Sequence, residues 1–233
     1  MLSIRLMQVA RLIKDYESMA DIGCDHALLP IYLLEKKYIH KAVGIDIGQK
    51  PLAKARYNAE RKNVFEHLDL RLGDGLSPLK PHEVDVINIC GMGGRLIARI
   101  LEKDMTIFLS AKRLYLMPQK DEAFLRNWLS DHGCLILNEY VILDNNRFYI
   151  LMVVEPQGGE SLSALECAFG PVLLNKFDPL TCDYFQKRKD RDRKICQLWA
   201  SYLNDEKHFH LEKQIDETQA LWNAWEEKRC QFK

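Results

Sequence analysis

Acidic residues and glycines stand together at four places where this chain could do chemistry: Asp21-Ile22-Gly23-Cys24-Asp25-His26, Asp46-Ile47, Gly73-Asp74-Gly75 and Gly91-Met92-Gly93-Gly94. The first lies in the stretch MADIGCDHALLP, residues 19–30, which reads as a short apolar strand, a tight turn and a helix with Pro30 in its first turn. In open α/β sheets a nucleotide-like ligand sits at such a junction, because glycine lets it approach the backbone and the helix end offers unpaired N–H groups. The stretch is not a dinucleotide fingerprint. With Gly23 as the first glycine of G-x-G-x-x-G, the other two would fall on Asp25 and Leu28, a carboxylate and a bulky side chain. Asp21 and Asp25 suit instead a ligand with positive charge near the loop, as the ammonium and sulfonium of S-adenosylmethionine provide.

The remaining places fit the same ligand. Asp46 ends a buried strand over 41–47, one βαβ unit later, where a carboxylate can accept from both ribose hydroxyls; the competing reading is a cap for the helix starting near Gln49. Asp74 and Gly75 follow a strand over 68–72 and can offer a carboxylate and a backbone N–H to adenine, although taken alone they are a turn. A fourth strand, 84–90, ends at Cys90 and runs into the glycines of 91–94, where the backbone must bend sharply or lie close to something. Enzymes that methylate an exocyclic adenine amine need a side-chain acceptor at this strand end. Cys90-Gly91-Met92-Gly93 supplies no carboxylate, amide or aromatic ring, so a ring nitrogen with its in-plane lone pair is the expected target.

These residues need elements to carry them. Apolar residues at helical spacing predict helices over 3–15, 31–37, 49–63, 95–102 and 122–129, the last ended by His132-Gly133. A fifth strand, 113–117, closes at Pro118-Gln119, and strands over 134–143 and 147–154 are joined by Asp144-Asn145-Asn146, a hairpin signal. Parallel α/β units finishing in an antiparallel hairpin make the class I, Rossmann-like methyltransferase sheet. This domain is expected over 1–155, a linker over 156–163 (PQGGESLS), and a helical domain over 164–233. Within the last, helices over 182–203 and 207–228, joined near Asn204-Asp205, carry facing apolar stripes, Ile195, Leu198, Trp199, Tyr202 and Leu211, Ile215, Leu221, Trp222, Trp225, and so form an α-helical coiled-coil hairpin. The first of them contains KRKDRDRK, 187–194, whose charges fit either ion pairing with the acid-rich second helix or contact with RNA.

Composition narrows the partners. Lys plus Arg and Asp plus Glu are 33 each in 233 residues, so a nucleic acid must be met by a local basic patch rather than a global field. The seven cysteines form no C-x-x-C pair and are expected as reduced thiols of a cytoplasmic protein, with no metal site. Arg5, Arg11 and Lys14 interrupt the apolar N-terminal residues, unlike a signal peptide, and no apolar run reaches bilayer length, so no membrane partner is expected.

With ADIGCDHALLP, GDGL and GMGGRLIARILE in place, the chain resembles the bacterial TrmK family of tRNA (adenine(22)-N(1))-methyltransferases over nearly its whole length, from Ser3, Arg5 and Leu6 to the helical appendage. The resemblance implies methyl transfer from S-adenosylmethionine to N1 of an adenosine in the D arm of tRNA. It implies cofactor contacts from Asp21, Gly23, Cys24, Asp25, His26, Asp46, Ile47, Asp74, Gly75 and Cys90, and a catalytic face at Gly91, Met92, Gly93 and Gly94. Substrate contacts are expected from Arg5, Arg95, Pro118 and Gln119, and from Lys187, Arg188, Lys189 and Arg191. Ile4 and Gln119 stand where the family commonly has Lys and Asn. The competing expectations are a methyltransferase for another RNA or a small molecule, and a catalytically silent RNA-binding module; the oligomeric state is left open, a monomer included.

Overall fold

The computed structural model describes residues 2–201 and 209–230, which form two compact units, Met1–Ser161 and Leu162–Lys233. In the first unit α1 (Ile4–Ile13) starts on Ser3, whose hydroxyl accepts from the Leu6 N–H at 3.4 Å, and buries Val9, Ala10 and Ile13. Then follow β1 (Ser18–Ile22), α2 (Leu28–Glu35), β2 (Lys41–Asp46), α3 (Gln49–Arg61), β3 (Leu68–Leu72) and β4 (Val86–Cys90). After them come α4 (Gly94–Lys103), α5 (Met105–Ser110), β5 (Arg113–Met117), α6 (Glu122–Asp131), β6 (Cys134–Asp144) and β7 (Arg147–Gly158). The strands make one seven-stranded sheet in the order β3-β2-β1-β4-β5-β7-β6, parallel except for β7, which is antiparallel to both its neighbours.

The central strands are apolar almost throughout because helices cover both faces; Met19 to Ile22 in β1 and Val86 to Ile89 in β4 are all buried. The strand order reverses between β1 and β4, and this opens a crevice beyond their C-terminal ends. The β6–β7 hairpin turns on Asn145 and Asn146, both left-handed at φ 49° and 59°, as a two-residue type I′ turn demands.

Three expectations need correction. The six-residue α5 is absent from the sequence reading, being too short for a clear helical period. β7 continues through Pro156, Gln157 and Gly158, so the joining segment begins later than expected. Gly158 pairs with Cys134 and the Gly159 N–H donates to Gly133 O at 3.0 Å; a Cβ on Gly159 would stand 2.0 Å from Cys134 O, so this glycine serves close backbone approach rather than looseness.

The second unit starts with α7 (Ala164–Phe169), held by a capping box between Ser163 and Glu166, and continues with α8 (Pro179–Ser201) and α9 (Phe209–Cys230). Phe169 packs on Trp222, Phe185 and Trp225 at centroid distances of 4.7, 5.8 and 6.2 Å. Between α8 and α9 the pairs Cys182–Arg229, Lys189–Glu226 and Asp192–Trp222 rise in number on one helix as they fall on the other. Ile215, Trp222 and Trp225 are buried as expected, whereas Ile195 and Leu198 are 37% and 56% exposed and leave the expected stripe. The side chains of Trp199, Tyr202 and Leu211 and the junction near Asn204-Asp205 lie outside the described residues.

Candidate functional site

A cleft of about 340 Å³ opens beyond the ends of β1 and β4 and gathers Arg5, Asp21, Gly23, Cys24, Asp25, His26, Cys90, Gly91 and Gln119 from the residues singled out in the sequence. The turn after β1 is tight. Gly23, at φ +69°, and Cys24 both donate their N–H to Ile45 O, at 2.8 and 3.0 Å, and Asp25 and Ala27 are left-handed at φ 49° and 50°. Ala27 caps α2 with no side-chain hydrogen bond, so the helix entrance is left to the backbone.

Asp21 is 7% exposed and accepts from Asn88 Nδ2 at 2.7 Å; the two residues face each other in the β1–β4 register. Burial raises its carboxyl to about 7, opposed by the Asn88 hydrogen bond and assisted by the charge of Asp46. A carboxylate so poorly solvated gains from a cation placed against it. The thiols of Cys24 and Cys90 are pushed far up by burial and by the charge of Asp21, so they stay protonated and pack as apolar groups rather than act as nucleophiles.

Asp46 stands one strand away. Its Oδ2 accepts from the Asp25 N–H at 3.1 Å and its Oδ1 from the Gly48 N–H at 2.9 Å, so it braces two loops at once. It does not cap α3, whose N-cap is Gly48. Ile47 beside it is 77% exposed and does not line the cleft itself. Gly73 N–H donates to Asp46 O at 3.0 Å, which ties the start of the Asp74–Gly75 turn to the end of β2, although neither Asp74 nor Gly75 lines the cleft. Gly75 is left-handed at φ +64°, while the exposed Asp74 carboxylate pairs with Lys103 Nζ at 3.1 Å, a contact weak enough for a ligand to displace.

Opposite, the loops after β4 and β5 are laced together. Gly91 N–H donates to Met117 O at 3.2 Å, Gln119 N–H to Met92 O at 2.9 Å, and Gly94 N–H to Lys120 O at 2.8 Å. The Met92 methyl reaches the turn after β1 beside Gly23, and since that methyl is the movable end of a side chain, it is the left-handed backbone at φ +69° that calls for glycine there. Pro118 is buried, and Gln119 turns outward into the cleft. Arg5 sits at the mouth, its guanidinium over the Tyr149 ring at 5.1 Å and its Nε 3.9 Å from Asp144. Arg95 stacks on Phe124 at 4.2 Å beside Asp121.

The sequence reading missed one side chain here, Asn88, and named Gln119 as a substrate contact without placing its amide at the end of the fourth strand. Asn88, a polar residue inside an apolar strand, links Asp21 to Cys90, whose Sγ donates to its Oδ1 at 3.2 Å. The Gln119 amide faces the fourth strand's end from the neighbouring loop, 3.7 Å from a Cβ placed on Gly91, so an amide is present where the strand alone offered none.

The basic run of α8 divides. Arg188 donates to Ala168 O at 2.6 Å and lies over Phe169 at 4.9 Å, and Lys189 pairs with Glu226; both side chains are largely covered, at 19% and 18% exposure. Lys187 and Arg191 are exposed, paired with Asp183 and Asp192 at 3.3 and 3.0 Å. A larger groove of about 460 Å³ runs between α8 and α9 beside Trp222, but its Lys189 and Glu226 neutralise each other and leave no converging acids for a cationic cofactor. Among the described residues no helix is long and apolar enough to cross a membrane, and no group of His, Cys, Asp and Glu could hold a metal.

Residues 2–152 match the family described as methyltransferase domain. The chain is 36% identical over 154 residues to the tRNA (adenine(22)-N(1))-methyltransferase of Bacillus subtilis strain 168, a match covering 66% of this chain and 65% of that protein, just under two thirds. Among solved structures, it resembles a Streptococcus pneumoniae chain in complex with S-adenosyl-L-methionine, with 35% identity, a TM-score of 0.81, and 95% of this chain and 99% of that one covered. It likewise resembles M. capricolum TrmK in complex with S-adenosyl-homocysteine, with 29% identity, a TM-score of 0.81, and 97% and 98% covered.

Proposed function

The chain belongs to the TrmK family of methyltransferases, and from that premise we propose that it transfers a methyl group from S-adenosyl-L-methionine to N1 of adenosine 22, in the D arm of tRNA, in the cytoplasm. The observation that carries the reading is the pair of carboxylates, Asp21 and Asp46, at the ends of the adjacent parallel strands β1 and β2, with the bare Gly23 turn between them. The donor set fits: Asp21 for the ammonium, Asp46 for the ribose hydroxyls, Ile47 against the adenine face, and Asp74 with Gly75 at its edge. When bound, S-adenosylmethionine supplies the methyl group on a cationic sulfur. The 91–94 loop and Gln119 hold the base so that its N1 lone pair points at that methyl. A neutral ring nitrogen needs no proton removed before attack, and the protonated Cys24 and Cys90 compete with nothing.

The sequence division is kept as a proposal: a catalytic domain over 1–155 and a helical domain over 164–233, the joining segment shortened at its start by β7. The opposed contacts of α8 and α9 support a coiled-coil hairpin that engages the tRNA, with Lys187 and Arg191 as its exposed cations. The test is incubation with unmodified tRNA and labelled cofactor, followed by nucleoside analysis by mass spectrometry. N1-methyladenosine at position 22 is the expected product. No incorporation, or N6-methyladenosine in a sample never exposed to alkali, overturns the reading.

Asp46→Ala should weaken S-adenosylmethionine binding, measured by isothermal titration, by on the order of 1.5 to 3 kcal/mol, since it removes a charged acceptor for two hydroxyls. Melting should fall by only a few degrees, because the Asp25 and Gly48 N–H groups it releases are near solvent. A folded variant with wild-type affinity would remove the ribose assignment.

A further inference from the structure

The zero net charge requires any RNA surface to be local, and the basic run of α8 spends much of its charge inside its own unit. A second set of cations lies on α3 and is not spent. Lys50, Lys54, Tyr57 and Arg61 recur at i, i+4, i+7 and i+11, and at 3.6 residues per turn they fall within a wedge about 60° wide. Ala55 and Ala59, the buried face of the helix, lie on the opposite side, so the stripe points straight out. All four residues are exposed, Tyr57 at 52%. Among the described residues none of the three cations has an acidic oxygen within ion-pairing distance, in contrast to Lys62, which pairs with Glu35 at 2.9 Å off the stripe's edge.

The tyrosine gives the stripe a second character. Lys54 Nζ and the Arg61 guanidinium both stand over its ring, at 5.8 and 5.7 Å from the centroid. A ring carries no net charge, so these contacts hold the two cations beside the tyrosine without neutralising them. An anion approaching this face meets positive charge on both sides of a flat apolar ring. That is the pattern that fits phosphates and sugars of a nucleic-acid backbone.

Position decides which nucleic acid. α3 begins at Gly48, whose N–H is held by Asp46 at the cofactor pocket's rim, and from there the stripe runs about 16 Å away from the site. We infer that the outward face of α3 is a docking track for the tRNA phosphate backbone, extending the bound tRNA beyond the target adenosine; this rests on the tRNA reading above. Contacts of this kind hold any tRNA and read no base.

The test uses the full chain and an unmodified tRNA transcript, with affinity measured by filter binding across a KCl series. Lys54→Gln/Arg61→Gln should bind about tenfold more weakly near 0.1 M KCl, with a plot of log K against log salt shallower by about 1.4 to 1.8. The loss should be the same for an unrelated tRNA, with cofactor affinity and melting temperature unchanged. Wild-type affinity and slope in the double variant overturn the inference while leaving the activity reading intact, and so does a weaker affinity with an unchanged slope, because phosphate contacts must alter both. A wild-type chain that neither binds nor methylates tRNA refutes the activity reading itself, and the inference falls with it.

Discussion

Replacing Asp21 by Asn should stabilise the ligand-free protein at neutral pH and weaken S-adenosylmethionine binding by about two to three orders of magnitude. Both effects have one cause. The Asp21 carboxyl titrates near 3.8 when unfolded and near 7 when folded, chiefly because burial strips its charged form of water. Between those values the folded chain keeps a proton that the unfolded chain releases. The group's contribution to stability is therefore complete below pH 4, declines as pH rises, and is gone above 7. At pH 8 the native state carries a buried carboxylate whose cost is on the order of 2 to 4 kcal/mol, and Asn removes that cost while keeping a partner for Asn88. The ligand-free variant should melt several degrees above wild type at pH 8 and level with it at pH 4.

The same charge is what a bound ammonium would meet. Breaking a buried ion pair by removing one partner costs about 3 to 5 kcal/mol, and this sets the expected loss of affinity. Wild-type affinity should also fall by about tenfold per pH unit below 7, as the carboxyl takes up its proton, whereas the variant should be flat over that range. Titration calorimetry from pH 5.5 to 8.5 reads both. A pH-independent wild type, or an Asp21→Asn chain that binds as tightly as wild type, removes Asp21 from the cofactor's ammonium.

The parts legible in the sequence are those specified by near neighbours. The turn at Gly23, the strand-end acid Asp46 and the Asn145-Asn146 hairpin each depend on residues a few positions apart, and each sits where the local pattern puts it. The Asp21–Asn88 pair spans 67 residues and exists because the β1–β4 register places the two opposite each other, which no local spacing encodes. Lys189 illustrates the same limit for function. The sequence left its charge open between RNA contact and ion pairing with the second helix, because Glu226, the acid that takes it, lies 37 residues away and only the packing of the two helices selects it. Glycine, too, is ambiguous in one dimension: Gly159 looked like linker, and only the approach of Cys134 O shows it as a packing requirement of the sheet.

Gly94→Ala should lower turnover by about a hundredfold or more while leaving cofactor affinity within a few fold of wild type. The bareness that packing demands in the glycine loop belongs to this residue more than to Gly93, where an added carbon would meet the flexible Lys120 side chain at 3.3 Å. At Gly94 a Cβ would stand 2.4 Å from Asp121 O and 3.0 Å from Asp121 C, both backbone atoms. The chain after β5 must then shift by an appreciable fraction of an ångström to an ångström. It carries Gln119 with it and loosens the Gly94–Lys120 and Gln119–Met92 hydrogen bonds that set the width of the cleft. A displacement of about 1 Å between reacting groups is worth about a hundredfold in rate, and the strain should cost about 1 to 3 kcal/mol of stability. Asp21 and Asp46 belong to β1 and β2 and do not move, which is why binding and turnover should separate. The measurement is single-turnover methylation at saturating cofactor, beside calorimetric cofactor affinity and a melting curve for the same preparation. Near-wild-type turnover in a folded Gly94→Ala chain would show that the loop yields without cost, and that the base is held by something other than the lacing of these two strand ends.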